Sequence, residues 1–171
     1  MDDKQTQDMN DVITAKEKIK ESAMFVMSKL NEYIKLHNEI AAKQGSILSF
    51  LRNLFGKPVP FSEFVLKTKK LEKEFKEIPK SLNSIKQSLV GRISNDESAF
   101  LDCLLEYADA LLITVATLRK RQEVFLEKKN EYKNVRLNIA AAKEIEKRYQ
   151  NTINNYKKIG DRLTEQNHVI F

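Results

Sequence analysis

Apolar residues recur at steps of three and four through four long stretches of this chain. The first runs from about Met9 to Lys43, through Val12, Ile13, Ile19, Val26, Met27, Leu30, Ile34, Ile40 and Ala41, and predicts a helix. Residues 1–8 are polar and are expected to fray. Beyond Gly45 the stripe resumes with Ile47, Leu48, Leu51, Leu54 and Phe55, so a bend is expected near Gly45. Gly56-Lys57-Pro58-Val59-Pro60 is the clearest stop, because two prolines and a glycine cannot continue a helix.

The second stretch is the most regular. Phe61, Phe64, Thr68, Leu71, Phe75, Ile78, Leu82, Ile85 and Leu89 form a narrow seam of coiled-coil type, with Ser62 placed to cap its start. The seam keeps its phase across Pro79, which predicts one kinked helix. Its lysines alternate with Glu72, Glu74 and Glu77 and read as a solvated face with local pairs. Gly91 and Ser94-Asn95-Asp96 mark a second break, where Ser94 and Glu97 are spaced as a capping box. The alternative is a helix running straight through, since one glycine costs only about 1 kcal/mol relative to alanine.

The third stretch joins two unlike halves. Leu101, Leu104, Ala108, Leu111, Val115 and Leu118 form its seam, with Phe100, Leu105 and Leu112 beside it, and no Lys or Arg lies between Ile93 and Leu118. Then Arg119, Lys120, Arg121, Lys128, Lys129, Lys133 and Arg136 follow, and every second seam position turns polar. The bundle is expected to thin there. An apolar end calls for a partner helix, and a basic end for an anionic surface. From Val135 a fourth stripe runs through Ile139, Ala142, Ile145, Tyr149, Ile153, Tyr156, Ile159 and Leu163. A single helix over 97–164 would leave its stripe unburied, so a hairpin tip near Asn130–Asn138 is expected.

With 171 residues, 42% hydrophobic and seven Gly and Pro in all, the chain reads as one all-α domain. The lone Cys103 excludes an internal disulfide and sits among leucines, as a buried thiol in a reducing compartment would. The acidic start is unlike a signal peptide, and no apolar run nears the roughly 20 residues that span a bilayer. A cytoplasmic chain is expected. No metal-binding, phosphate-loop or nucleophile motif occurs. His37 and His168 stand far apart; His37 reads as a seam-edge residue, and Glu165–His168 is a single E-x-x-H near the end. No catalytic residue, metal, cofactor or small-molecule substrate is expected. The charge of +6 leaves anionic partners open. Lysines interleaved with glutamates, without aromatics among them, argue against nucleic acid.

Leu104–Arg121 and Tyr156–Phe171 resemble the BAR domain of sorting nexins. The matching second-helix residues are Leu104, Tyr107, Leu111, Val115 and Arg121; those of the third are Tyr156, Ile159, Gly160, Leu163 and Glu165. The chain departs from the family in having no PX domain ahead of the helices, a breaker at Gly91 and an early end at Phe171. The resemblance implies an elongated antiparallel three-helix coiled-coil bundle, kinked near Gly45, Pro79 and Gly91. It implies a homodimer, or a heterodimer with a related BAR protein, through Leu104, Tyr107, Leu111, Leu112, Val115 and Leu118. Arg119, Lys120, Arg121, Lys128, Lys129, Lys133 and Arg136 would then contact anionic phospholipid on curved endosomal membranes. At about 1 kcal/mol per basic residue, the net four charges of residues 119–136 give only millimolar binding from one arm, so pairing is what makes the charge useful. The competing reading is a helical scaffold or tether that binds a protein partner through its seams, with no lipid role.

Overall fold

The computed structural model describes the backbone of residues 2–44, 60–130 and 135–170, and their side chains over 14–44, 60–127 and 139–168. The helices are α1 (Asp2–Gln44), α2 (Phe61–Phe75), α3 (Ile78–Ser88), α4 (Asn95–Asn130) and α5 (Val135–Ile170). No strand occurs among the described residues. α1 takes in residues 2–8, which the sequence reading expected to fray. The expected bend at Gly45 and the stripe from Ile47 to Phe55 lie outside the described residues.

Three of the helix boundaries have a visible local cause. α2 begins directly after Pro60, which is its N-cap, so Ser62 falls inside the first turn and does not cap it. At Pro79 the seam holds its phase, as expected: Phe75, Ile78 and Leu82 are all buried. The helix is nevertheless interrupted at Lys76–Glu77, whose backbone stays near helical values. Proline has no N–H to close the next hydrogen bond, so Pro79 is accommodated in the first turn of a new helix instead.

The break at Gly91 is a full turn. Gly91 has φ +76°, where a Cβ would be strained, and Arg92 N–H bonds to the Leu89 carbonyl at 3.0 Å. The capping box then forms as spaced. Glu97 N–H donates to Ser94 Oγ at 3.2 Å, and Ser94 N–H donates to Glu97 Oε2 at 2.8 Å. Lys86 meets Asp102 across the turn, so α3 and α4 run antiparallel.

The chain reverses again after α4. Thr114 bonds to the Thr152 carbonyl, Arg121 to Glu146, and Arg162 to Glu106, an antiparallel register. The tip itself, residues 131–134, lies outside the described residues. Lys29–Glu74 and Lys67–Glu39 set α1 antiparallel to α2. Instead of three continuous helices, the described residues outline four columns: α1, α2 with α3, α4, and α5.

α4 is the inner column. It packs against every other helix, most extensively α5 and then α2. Gly160 admits α5 to the Tyr107 ring, since a Cβ there would sit 3.1 Å from Tyr107 Cε2. Of the three alanines at 140–142, only Ala142 is buried. Ser94→Ala removes one half of the capping box and should lower stability by about 1 kcal/mol in urea unfolding. An unchanged midpoint would show that the turn is held by Gly91 alone.

Candidate interaction surface and buried polar cluster

The residues expected to join two copies lie inside one chain. Leu104, Leu111, Val115 and Leu118 are 0% exposed, Tyr107 is buried, and Leu112 is half-buried against the core. Their apolar surface is already covered by α2, α5 and α1. A seam so placed has nothing left to offer a second molecule. This outcome was open in the sequence, because a wide apolar arc looks the same whether its own chain or another covers it.

Two of the expected lipid-binding residues are also committed inward. Arg119 donates to Glu72 on α2 and to Glu123 one turn on. Arg121 is buried, donating from Nε to Glu146 at 2.6 Å and from Nη1 to Gln44 at 2.7 Å. Its guanidinium lies 4.6 Å from the Phe125 ring centroid and 5.8 Å from that of Tyr149. Lys120 is exposed. The side chains of Lys128, Lys129, Lys133 and Arg136 lie outside the described residues.

Arg121 is the centre of a polar cluster that sequence reading missed. Gln44 links it to Gln122, which is fully buried. Tyr149 bonds to Tyr33 through their hydroxyls at 2.7 Å and to His37 Nδ1 at 2.7 Å. At the described seam positions after Leu118 the bundle does not thin: Gln122 and Phe125 remain in its core, while the side chains of Lys129 and Tyr132 lie outside the described residues. The available signal was the phase of Gln122, which continues the seam. Burial pushes the Tyr33 and Tyr149 hydroxyls far above the ordinary tyrosine range, so both stay neutral and serve as hydrogen-bonding groups.

The open basic feature lies on α2. Lys69, Lys73 and Lys76 follow Leu66 at steps of three and four, on the face away from Phe64, Leu71 and Phe75. With Lys70, Glu72 and Arg119 they line a groove of about 600 Å³. Glu72 lies within it, bonded to Arg119 and, at 3.0 Å, to Lys76. Burial raises the Glu72 carboxyl, but these two cations outweigh it and hold the group below the usual carboxylate range. Lys69, Lys70 and Lys73 are exposed and form no ion pair among the described residues. Leu66, 68% exposed, adds an apolar contact. The interleaved glutamates masked this face in the sequence: Glu74 turns toward α1 to meet Lys29 and leaves the lysines behind.

Among the described residues no three His, Cys, Asp or Glu side chains gather to hold a metal ion, and no helix is long and apolar enough to cross a membrane. The fold and site define an all-helical bundle with a buried polar centre and a basic groove. Comparison with family models, curated proteins and solved structures finds no match.

The cluster makes stability depend on pH. His37 titrates below its ordinary 6.5, first because it is buried and then because Arg121 and Lys157 lie near, with Glu146 opposing. The unfolded chain therefore holds this proton more tightly than the folded one. The stabilisation is present above 6.5 and is lost as the pH falls through the lower folded value. Carboxylates such as Glu72 contribute their own loss only further down, below 4.5. Unfolding followed from pH 7.5 to 5 should show falling stability, flattened by His37→Gln. An identical slope in the variant would assign the effect elsewhere.

Proposed function

We propose that this chain is a non-enzymatic helical adaptor that holds an acidic segment of a partner protein in the groove between α2 and α4. The observation that carries the reading is the row of lysines at 69, 70, 73 and 76 along a concave groove, with Leu66 beside it. The residues lining this groove bear a net four positive charges. Each exposed pair would contribute only about 0–1 kcal/mol, so binding should be weak, fast and sensitive to salt. A helical or extended peptide reaches into a groove between helices more fully than a flat leaflet does.

Membrane binding is the second reading. It is favoured by the overall charge of +6 and by Lys120, which stands exposed on the turn between Arg119 and Arg121. As a BAR-like curvature module on endosomes, the chain would need a second copy to raise millimolar contacts to useful affinity. The α4 seam assigned to that pairing is buried within one chain. That weighs toward the protein partner.

Fluorescence anisotropy with a labelled glutamate-rich peptide containing one leucine tests the reading. Binding is expected at low salt, weakened at least about tenfold by Lys69→Glu with Lys73→Glu, and weakened further as salt rises. Sedimentation with phosphatidylserine vesicles is the companion measurement. No peptide binding, or vesicle binding without peptide binding, would reject the adaptor reading.

A further inference from the structure

Of the four columns, α1 is the least extensively packed on the others among the described residues. Its polar attachments differ on its two sides. Toward α2 they are ion pairs, Lys29 with Glu74 at 3.0 Å and Lys67 with Glu39 at 2.8 Å. Toward α5 they form a line of three side chains. Tyr33 Oη lies 2.7 Å from Tyr149 Oη, which lies 2.7 Å from His37 Nδ1. Both tyrosines are 1% exposed, whereas His37 is half-buried and reaches water. Neither hydroxyl has another hydrogen-bond partner among the described residues.

We infer that this line is a pH-sensitive latch, which frees α1 from α5 when His37 takes up a proton and leaves α1 attached to α2. Counting hydrogens gives the reason. The line has two contacts. With a neutral imidazole it holds two hydrogens: Tyr33 O–H donates to Tyr149, and Tyr149 O–H donates to His37 Nδ1. Both contacts are made and no hydrogen is left over. A proton on Nδ1 brings a third hydrogen to the same two contacts. His37 then donates to Tyr149, and one tyrosine O–H loses its acceptor. Both hydroxyls are buried, so the loss is unfavourable. Moving α1 away from α5 returns them to water.

The surrounding charges act in the same direction. Arg121 on α4 faces the imidazole, as do Lys157 and Glu146 on α5; α2 and α3 turn no charged group to it among the described residues. Glu146 opposes the two cations but is already bonded to Arg121. The α2 side responds differently. Lys67 and then Lys43 hold the Glu39 carboxyl below its usual range, so its ion pair survives where His37 is charged. The latch is closed above the ordinary histidine value of 6.5 and opens as the pH falls through the lower value His37 has in the closed bundle. The opening is local, distinct from loss of the fold, and stands independently of the α2 groove.

Distances between paired spin labels on the full chain test the inference, with Cys103→Ala so that only the two chosen sites are labelled. One pair is Asn38→Cys on α1 with Asn151→Cys on α5. The other is Asn38→Cys with Lys70→Cys on α2, and all three positions are exposed. Between about pH 7.5 and about pH 5 the first distance should lengthen or spread while the second holds. His37→Gln, whose amide carbonyl still accepts from Tyr149, should keep the first distance short at both. Circular dichroism at each pH should show the same helix content. A first distance that ignores pH, the same change in His37→Gln, equal spreading of both pairs, or a matching loss of helix would overturn the latch.

Discussion

Burial of α4 on nearly every side is the constraint from which the architecture follows. Phe100, Leu101, Leu104, Ala108, Leu111, Val115, Leu118 and Phe125 are almost wholly removed from water. At roughly 1.5–3 kcal/mol for each large apolar side chain, this drive far exceeds any helix-capping or surface-pair term. The other helices are placed by the need to cover this one. α5 returns along it from the tip, and α2 with α3 lies along another side. The turn at Gly91 matters because it lets α3 fold back onto the start of α4 and frees the chain from needing a second molecule there.

Where the apolar seam gives out, a polar cluster takes over. A buried guanidinium is tolerable only when its donors are used, and Arg121 has Glu146, Gln44 and two aromatic faces around it. These partners come from α1, α4 and α5. The cluster therefore fixes the relative register of three helices, which leucine packing alone would leave free to slide. Tyr149 extends it to Tyr33 and His37, so the titrating histidine reports on the seating of α1.

Much of this was legible in the residues. The helical stripes, the Ser94–Glu97 box and the reversal after Asn130 all rest on local chemistry: periodicity, a cap, a run rich in Asn and Lys. What sequence periodicity could not supply was the identity of the covering surface. Leu111 and Val115 have the same spacing whether covered by α5 or by a second chain. Arg119 and Arg121 look like free charge because Glu72 and Glu146 stand far away in sequence and meet them only in the fold. Lys69 and Lys73 look paired for the converse reason, since Glu74 turns to Lys29 and Glu72 is taken up by Arg119 and Lys76. Long-range pairing decides which charges are left for function.

The resulting picture is a bundle that satisfies its own core and leaves a basic groove open along α2. In that bundle the α4 seam is covered by its own chain. The most direct measurement is the unfolding free energy of Leu111→Ala against the parent at low and high protein concentration. A loss of about 2–5 kcal/mol is expected, the size of a cavity in a closed core, and equal at both concentrations. A loss below about 1 kcal/mol, or one that appears only when the protein is concentrated, would mean that a second molecule covers Leu111 and would contradict it.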